Sequence, residues 1–168
     1  MNKFGLAVIA SVLVLSGCLK QQVEARSNEV ETVVADERPL TPEDFSSIGA
    51  INIESTLNAK LVAATIKAVG LRVNLEGSPA NMEELLVWIH ERADDLSRKH
   101  VEIIHSLPDG DLKTSVKEAM IANEHFHRVA ASVTTSTPSQ WASEFREAQR
   151  RIDEASAKLS AELKLAKN

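Results

Sequence analysis

The chain has 168 residues, a formal net charge of -5 at pH 7 and one cysteine. Because acidic residues outnumber basic ones, the sequence lacks the positive charge with which proteins bind nucleic acid. Tyrosine is absent and aromatic residues make up 4% of the chain, which argues against a stacking surface for bases.

The first predicted element is an apolar segment that begins directly after Lys3. About twelve apolar or small residues occupy positions 4–15, a length typical of the core of a secretory signal and too short to cross a bilayer as a helix. The small residues Ser16 and Gly17 then lead to Cys18, the only cysteine. The segment therefore predicts export from the cytoplasm.

The motif Leu15-Ser16-Gly17-Cys18 resembles the lipobox of bacterial lipoproteins. The resemblance implies cleavage between Gly17 and Cys18, diacylation of the Cys18 thiol and acylation of the new amino terminus. Several acyl chains give stable anchoring, whereas a single chain binds a membrane only marginally. Leu19 occupies the position where lipoproteins of the inner membrane often carry Asp, so the predicted location is the periplasmic face of the outer membrane.

The next segment, residues 18–40, is polar and acidic and has no sustained apolar period. We predict that it forms a flexible tether of about 20 residues, which would hold the domain some tens of ångströms from the membrane. In an alternative interpretation, Val30, Val33 and Val34 form a short helical turn. Residues 41–168 form the predicted domain.

Signals for helix starts repeat through this domain. A hydroxyl side chain caps free backbone amides and proline suits the first helical position, so Ser or Thr followed by Pro marks a start. Gly70 is predicted to end the first helix, and Asp109 or Asp111 to cap the third. The hydroxyl-proline pairs are Thr41-Pro42, Ser78-Pro79 and Thr137-Pro138, the last with Gln140 placed for a capping box. The predicted helices are roughly 42–69, 79–107, 111–134 and 138–166.

Each predicted helix carries apolar residues at helical period. In the second helix Leu85, Ile89 and Leu96 share one side, and in the fourth Phe145 and Ile152 do the same. Long amphipathic helices joined by short loops favour antiparallel neighbours. The predicted fold is all-α, an up-down-up-down four-helix bundle that follows the signal peptide and the tether.

The first helix is apolar on two sides. We predict that the first apolar side faces the core; its residues are Ala50, Ile53, Leu57, Leu61, Ala64 and Ala68. A second apolar side then needs its own cover, since a helix that is apolar on two sides requires burial on both. Either the tether or the loop at 71–75 covers this side, or it binds a partner or a second copy. The candidate partner-binding residues are Ile48, Ile51, Val62, Ile66 and Val69.

Histidines are the most plausible source of chemistry in such a bundle. His100 and His127 fall on inward sides of the second and third helices, where a histidine usually hydrogen-bonds to a neighbouring polar group. Antiparallel packing would also bring His90 and Glu144 to the height of His127. These three side chains are the candidate ligands for zinc or another divalent ion, although we assign no metal site.

The sequence contains no Gly-x-Ser-x-Gly elbow and no glycine-rich phosphate loop, so we predict neither an enzyme nor a cofactor. We expect a lipid-anchored envelope protein that faces the periplasm and acts as a protein-interaction module: a scaffold, an accessory subunit, or an exclusion or immunity factor. Its expected partners are the membrane, through Cys18, and an envelope protein or a second copy. The alternative function is binding of a metal or small ligand through the inward histidines.

Overall fold

The structure is a computed structural model that describes residues 38–73 and 76–167. These ranges hold four α-helices and no strand, which confirms the predicted all-α fold. The signal segment with Gly17 and Cys18, and the tether up to residue 37, lie outside the described residues. The helices are α1 (Pro42–Gly70), α2 (Met82–Ser106), α3 (Asp111–Ala131) and α4 (Pro138–Leu165), and a short 3-10 helix (Ser132–Thr134) follows α3.

Side-chain contacts between helices show that neighbours run in opposite directions. At the start of α4, Trp141 Nε1 donates to the carbonyl of Val129, near the end of α3, at 2.9 Å. Later in α4, Lys158 Nζ lies 2.6 Å from the Glu118 carboxylate, near the start of α3. Because α1 packs against both α2 and α4, the four helices close into the predicted up-down-up-down bundle.

The core consists of two apolar clusters. The first cluster includes Phe126, Leu85 and Ile152, which are all buried. Ile48 and Leu159 belong to the second. Between Ile48 and the first cluster, α1 places a series of buried polar side chains, which makes the middle of the bundle polar. These α1 side chains are Asn52, Ser55 and Asn58.

The start of α1 agrees with its predicted cap. The Thr41 hydroxyl accepts a hydrogen bond from the Asp44 backbone amide at 3.2 Å, and Asp44 Oδ2 accepts one from the Thr41 amide at 2.8 Å. This reciprocal pair is a capping box, which satisfies two backbone donors at once.

Helix α2 begins three residues later than predicted, at Met82 rather than Pro79. Asn81 Oδ1 accepts from the Glu84 amide at 3.0 Å, and Glu84 Oε2 accepts from the Ala80 amide at 2.8 Å. This pair satisfies the first free amides, so the start predicted from Ser78-Pro79 is wrong.

The predicted caps of α3 and α4 are also wrong in detail. The N-cap of α3 is Gly110, which has no side chain, and Asp109 instead pairs with Lys113 at 3.0 Å. The Thr137 side chain makes no cap hydrogen bond. Gln140, predicted to complete a capping box, donates to Glu144 at 2.9 Å.

Helix α1 ends at Gly70, where the sequence predicts a stop, but the left-handed residue is Arg72, with φ of 56°. The Arg72 amide donates to the Val69 carbonyl at 3.0 Å and the Val73 amide donates to the Ala68 carbonyl at 2.9 Å. These two bonds form a Schellman motif. An arginine therefore occupies a conformation that glycine adopts at lower energy.

Candidate functional site

The side of α1 predicted to bind a partner is buried in the structure. Its side chains contribute to the bundle interior. Ile48, Ile51, Val62 and Ile66 are each at most 8% exposed. The prediction that this side is a partner-binding surface is therefore wrong. The residues concerned are Ile48, Ile51, Val62 and Ile66, together with Val69, which packs partly buried against the first core cluster.

The opposite side of α1, predicted to face the core, is instead at the surface. Ile53, Leu57 and Leu61 are 63%, 59% and 43% exposed, and they follow one another at intervals of four residues. Ala50 and Ala64 extend this row at its two ends and are also exposed. We call these five residues the α1 surface stripe. The two sides of α1 are thus exchanged relative to the prediction, except that Ala68, predicted on the core side, is indeed buried.

The polar side chains of α1 explain this exchange. Asn52 Nδ2 donates to Ser160 Oγ at 3.0 Å, and Asn58 Nδ2 lies 3.0 Å from a nitrogen of His127. These partners stand on α4 and α3, and a buried amide is tolerated only with such partners. The side of α1 that carries the amides therefore faces inward, and the stripe faces outward.

A groove of about 420 Å³ runs between the α1 surface stripe and α2. Its α1 wall is mainly aliphatic, whereas α2 contributes two charged side chains and one leucine. The lining residues are Ala50, Ile53, Glu54, Leu57, Asn58 and Leu61 from α1 and Arg92, Asp95 and Leu96 from α2. An aliphatic wall with a few polar groups is typical of a binding groove.

Charged residues follow α2 along the edge of this groove. Lys99 Nζ lies 2.8 Å from Asp95 Oδ2 and 2.5 Å from Glu54 Oε1. Hydrogen bonds to Asp95 and Glu54 raise the pKa of Lys99, and the hydrogen bond from Lys99 lowers the pKa of Asp95. Of the charged residues on this side of α2, Arg92 and Asp95 line the groove, and Glu102 follows Lys99 by three residues and is exposed. We call the series Arg92, Asp95, Lys99 and Glu102, in which the charge alternates in sign, the α2 charged edge.

Asn58, which lines the groove, contacts the buried His127. The Nδ1 atom of His127 lies 2.8 Å from the Asn123 carbonyl and must donate to it, so Nε2 accepts from Asn58 Nδ2. Burial lowers the pKa of His127, which favours this neutral form. The orientation of the Asn58 amide is thereby decided. Its Oδ1 atom is buried without a hydrogen-bond partner.

His100 is held in the same way. Its Nδ1 donates to the Leu96 carbonyl at 2.8 Å, and its Nε2 accepts from the Ser55 hydroxyl at 3.5 Å. Burial lowers the pKa of His100 as well. The structure confirms that His100 and His127 point inward.

The three candidate metal ligands do not come together. His90 is exposed and its Nδ1 donates to the Leu86 carbonyl at 2.7 Å. Glu144 is exposed on α4, whereas His127 is buried and bound to Asn58. Within residues 38–73 and 76–167, no three His, Cys, Asp or Glu side chains are grouped to hold a metal ion.

The chain enters the bundle beside the start of α1 and the end of α2. Arg38 forms two hydrogen bonds to the Asp44 carboxylate, at 2.7 and 3.1 Å, and another to the Ser106 carbonyl. The bond from Arg38 is the main reason that the pKa of Asp44 falls to about 2. Leu40 packs against the second core cluster. Residues 38–40, assigned above to the tether, therefore contact the domain.

Sequence reasoning missed both the α1 surface stripe as a surface and the α2 charged edge. The available signal was the distribution of Asn and Ser on α1, which marks the buried side only if the bundle interior is polar. No helix in the described part of the chain is long and apolar enough to span a membrane. Comparison with protein-family models, curated proteins and solved structures finds no match to this chain.

Proposed function

We propose that this protein is a lipid-anchored envelope protein that faces the periplasm and binds another protein through the α1 surface stripe. The observation that carries the proposal is the exposure of three large aliphatic side chains in one row, Ile53, Leu57 and Leu61. Single exposed apolar residues are normal on soluble proteins, but a contiguous apolar patch marks an interaction site.

The energetics of the stripe are sufficient for binding. Exposed fractions of 63%, 59% and 43% correspond to the burial of fewer than two complete aliphatic side chains. That burial is worth roughly 3 kcal/mol in transfer terms, before the cost of association. The stripe alone supports a weak complex, and polar contacts at its edges supply additional affinity and specificity.

The proposed anchor rests on the motif Leu15-Ser16-Gly17-Cys18. Acyl chains on Cys18 would keep the domain near one membrane, where its partners are also confined. A domain held in this way would act as a scaffold, as an accessory subunit of a membrane complex, or as an exclusion or immunity factor. The proposal assigns no catalytic role, because His100 and His127 are buried and already hydrogen-bonded.

Site-specific photocrosslinking in intact bacteria tests the proposal. A photoreactive amino acid replaces Leu57 in the full chain, and the matched control carries it at Ile121, which is 60% exposed on α3. We expect a protein adduct from position 57, absent from position 121, whose yield falls when Ile53 and Leu61 are changed to Asp. The absence of an adduct specific to position 57 would refute the proposal.

A further inference from the structure

We infer that the α1 surface stripe binds a second copy of this chain, with the α1 helices antiparallel and a two-fold axis at Leu57. This inference rests on the proposed function and names the partner of the same surface. The interface comprises the α1 surface stripe and the α2 charged edge, which together we call the α1–α2 face. Closed dimers with two-fold symmetry are the commonest protein oligomers.

The α1 surface stripe is symmetric about Leu57. In an antiparallel pair with the axis at this residue, positions at equal distances on its two sides lie at the same height. Ile53 is then level with Leu61 of the second copy, four residues from the axis in each case. Ala50 is similarly level with Ala64 of the second copy. Large side chains thus meet large ones at the centre, and small ones meet at the ends.

Two contacts give the height of α2 relative to α1. Glu54 Oε1 lies 2.5 Å from Lys99 Nζ, and the Ser55 hydroxyl lies 3.5 Å from His100 Nε2. Because α1 and α2 run in opposite directions, these contacts place Leu57 at about the height of Ser97. The same two-fold axis therefore crosses α2 near Ser97.

The α2 charged edge is self-complementary about this height. Asp95 and Lys99 stand two residues from Ser97 on either side, and Arg92 and Glu102 stand five residues from it. The axis consequently brings Asp95 level with Lys99 of the second copy, and Arg92 level with Glu102 of the second copy. Opposite charges meet at both levels, which favours this register over shifted ones.

The relative orientation of the two copies follows from the α1–α2 face. A two-fold axis perpendicular to the helices stacks α1 on α1 and α2 on α2 of the second copy. An axis parallel to the helices and centred between α1 and α2 would instead lay the aliphatic α1 surface stripe over the charges of α2. When the whole α1–α2 face is buried, the antiparallel arrangement therefore packs aliphatic side chains against one another and avoids burying charges without a partner.

The size of the α1–α2 face indicates a weak dimer. The stripe from Ala50 to Ala64 is about 21 Å long at the helical rise of 1.5 Å per residue. Two helices packed at 8 to 10 Å give a face about 20 Å wide, or roughly 400 Å² per copy, against the approximately 800 Å² of a standard stable interface. A reversible dimer is therefore expected, favoured when copies are concentrated at one membrane.

Cysteine crosslinking tests the geometry in the full chain in mild detergent, with the otherwise unchanged chain as the control for Cys18. Disulfides require Cα atoms within about 7 Å of each other. Leu57→Cys, on the axis, should form a disulfide-linked dimer by itself. Ile53→Cys and Leu61→Cys should each remain monomeric alone and crosslink when mixed, and Ile121→Cys is the exposed control. Self-crosslinking of Ile53→Cys, or a monomeric Leu57→Cys, would overturn the inference.

Charge exchange tests the α2 contact independently. Arg92→Glu should weaken dimerisation at least about tenfold in sedimentation equilibrium, because like charges then face each other. Adding Glu102→Arg to this variant should restore dimerisation. Within one copy these two positions lie about 15 Å apart along α2, so restoration must come from the second copy. Melting temperatures of the variants serve as the folding control, and failure of the double variant to recover would overturn the inference.

The outcomes also separate this inference from the proposed function. If Leu57→Cys stays monomeric while the photocrosslinker at position 57 captures a different envelope protein, the second copy is excluded and the proposed function stands. If position 57 yields no specific adduct of any kind, both the proposed function and the dimer are refuted.

Discussion

The reversed assignment of the two sides of α1 leads to a sharp prediction about Ile51 and Ile53. These residues have the same side chain and stand two positions apart on one helix, yet Ile51 is 2% exposed and Ile53 is 63% exposed. Ile51→Ala removes three carbon atoms from the interior and leaves a cavity. Such a substitution costs about 2 to 5 kcal/mol, because both transfer energy and packing are lost.

Ile53→Ala is the matched control. Most of this side chain is already in water, so its removal costs less than about 1 kcal/mol of burial. Alanine also has a higher helix propensity than isoleucine, which offsets a few tenths of a kcal/mol of the lost burial energy. We therefore expect a change of stability within about 0.5 kcal/mol, as for ordinary surface substitutions.

Urea unfolding followed by circular dichroism measures the difference, at protein concentrations where the chain is monomeric. With a slope of about 2 kcal/mol per molar urea, Ile51→Ala should lower the midpoint by about 1 to 2.5 M. Ile53→Ala should leave the midpoint almost unchanged. Equal effects of the two substitutions, or a larger effect of Ile53→Ala, would refute the orientation of α1 and the interface built on it.

Four further predictions concern other parts of the chain. Because burial lowers the pKa of His100 and His127 below 6.5, the unfolded chain takes up protons first. The stability that the neutral histidines contribute should therefore be fully present above pH 6.5. Below pH 6.5 the free energy of unfolding should decrease, by up to about 1.4 kcal/mol per pH unit for each histidine. Urea titrations at pH 7.5 and 5 check this, and a flat profile would contradict it. Asp44→Asn should lower the free energy of unfolding by about 1 to 2 kcal/mol at pH 7. This difference between the variant and the unchanged chain should disappear between pH 3.8 and about 2, because the folded-state carboxylate is then protonated. Arg72→Gly should stabilise the domain by about 0.5 to 1 kcal/mol in urea unfolding, since glycine adopts the left-handed conformation without strain; a loss of stability would count against the Schellman geometry. A fatty-acid analogue should label the full chain in cells through Cys18, and label retained by Cys18→Ser would disprove the anchor.

The helices and their order were predictable from the sequence because their signals are local. Pro42 and Pro138 mark the first helical positions, as the structure confirms, and α1 ends at Gly70, one residue beyond the predicted range. The apolar period of each helix and the short connections then leave an antiparallel bundle as the simplest way to bury every stripe. The inward positions of His100 and His127 followed from the same period.

The side of α1 that becomes the surface was decided only by the tertiary structure. Both sides are aliphatic, so hydrophobicity along α1 does not distinguish them, and the deciding residues are the polar ones on its inward side. Asn52 and Asn58 are acceptable inside because Ser160 on α4 and His127 on α3 meet them there. Those partners are distant in sequence and become neighbours only when the bundle closes, which leaves Ile53, Leu57 and Leu61 at the surface.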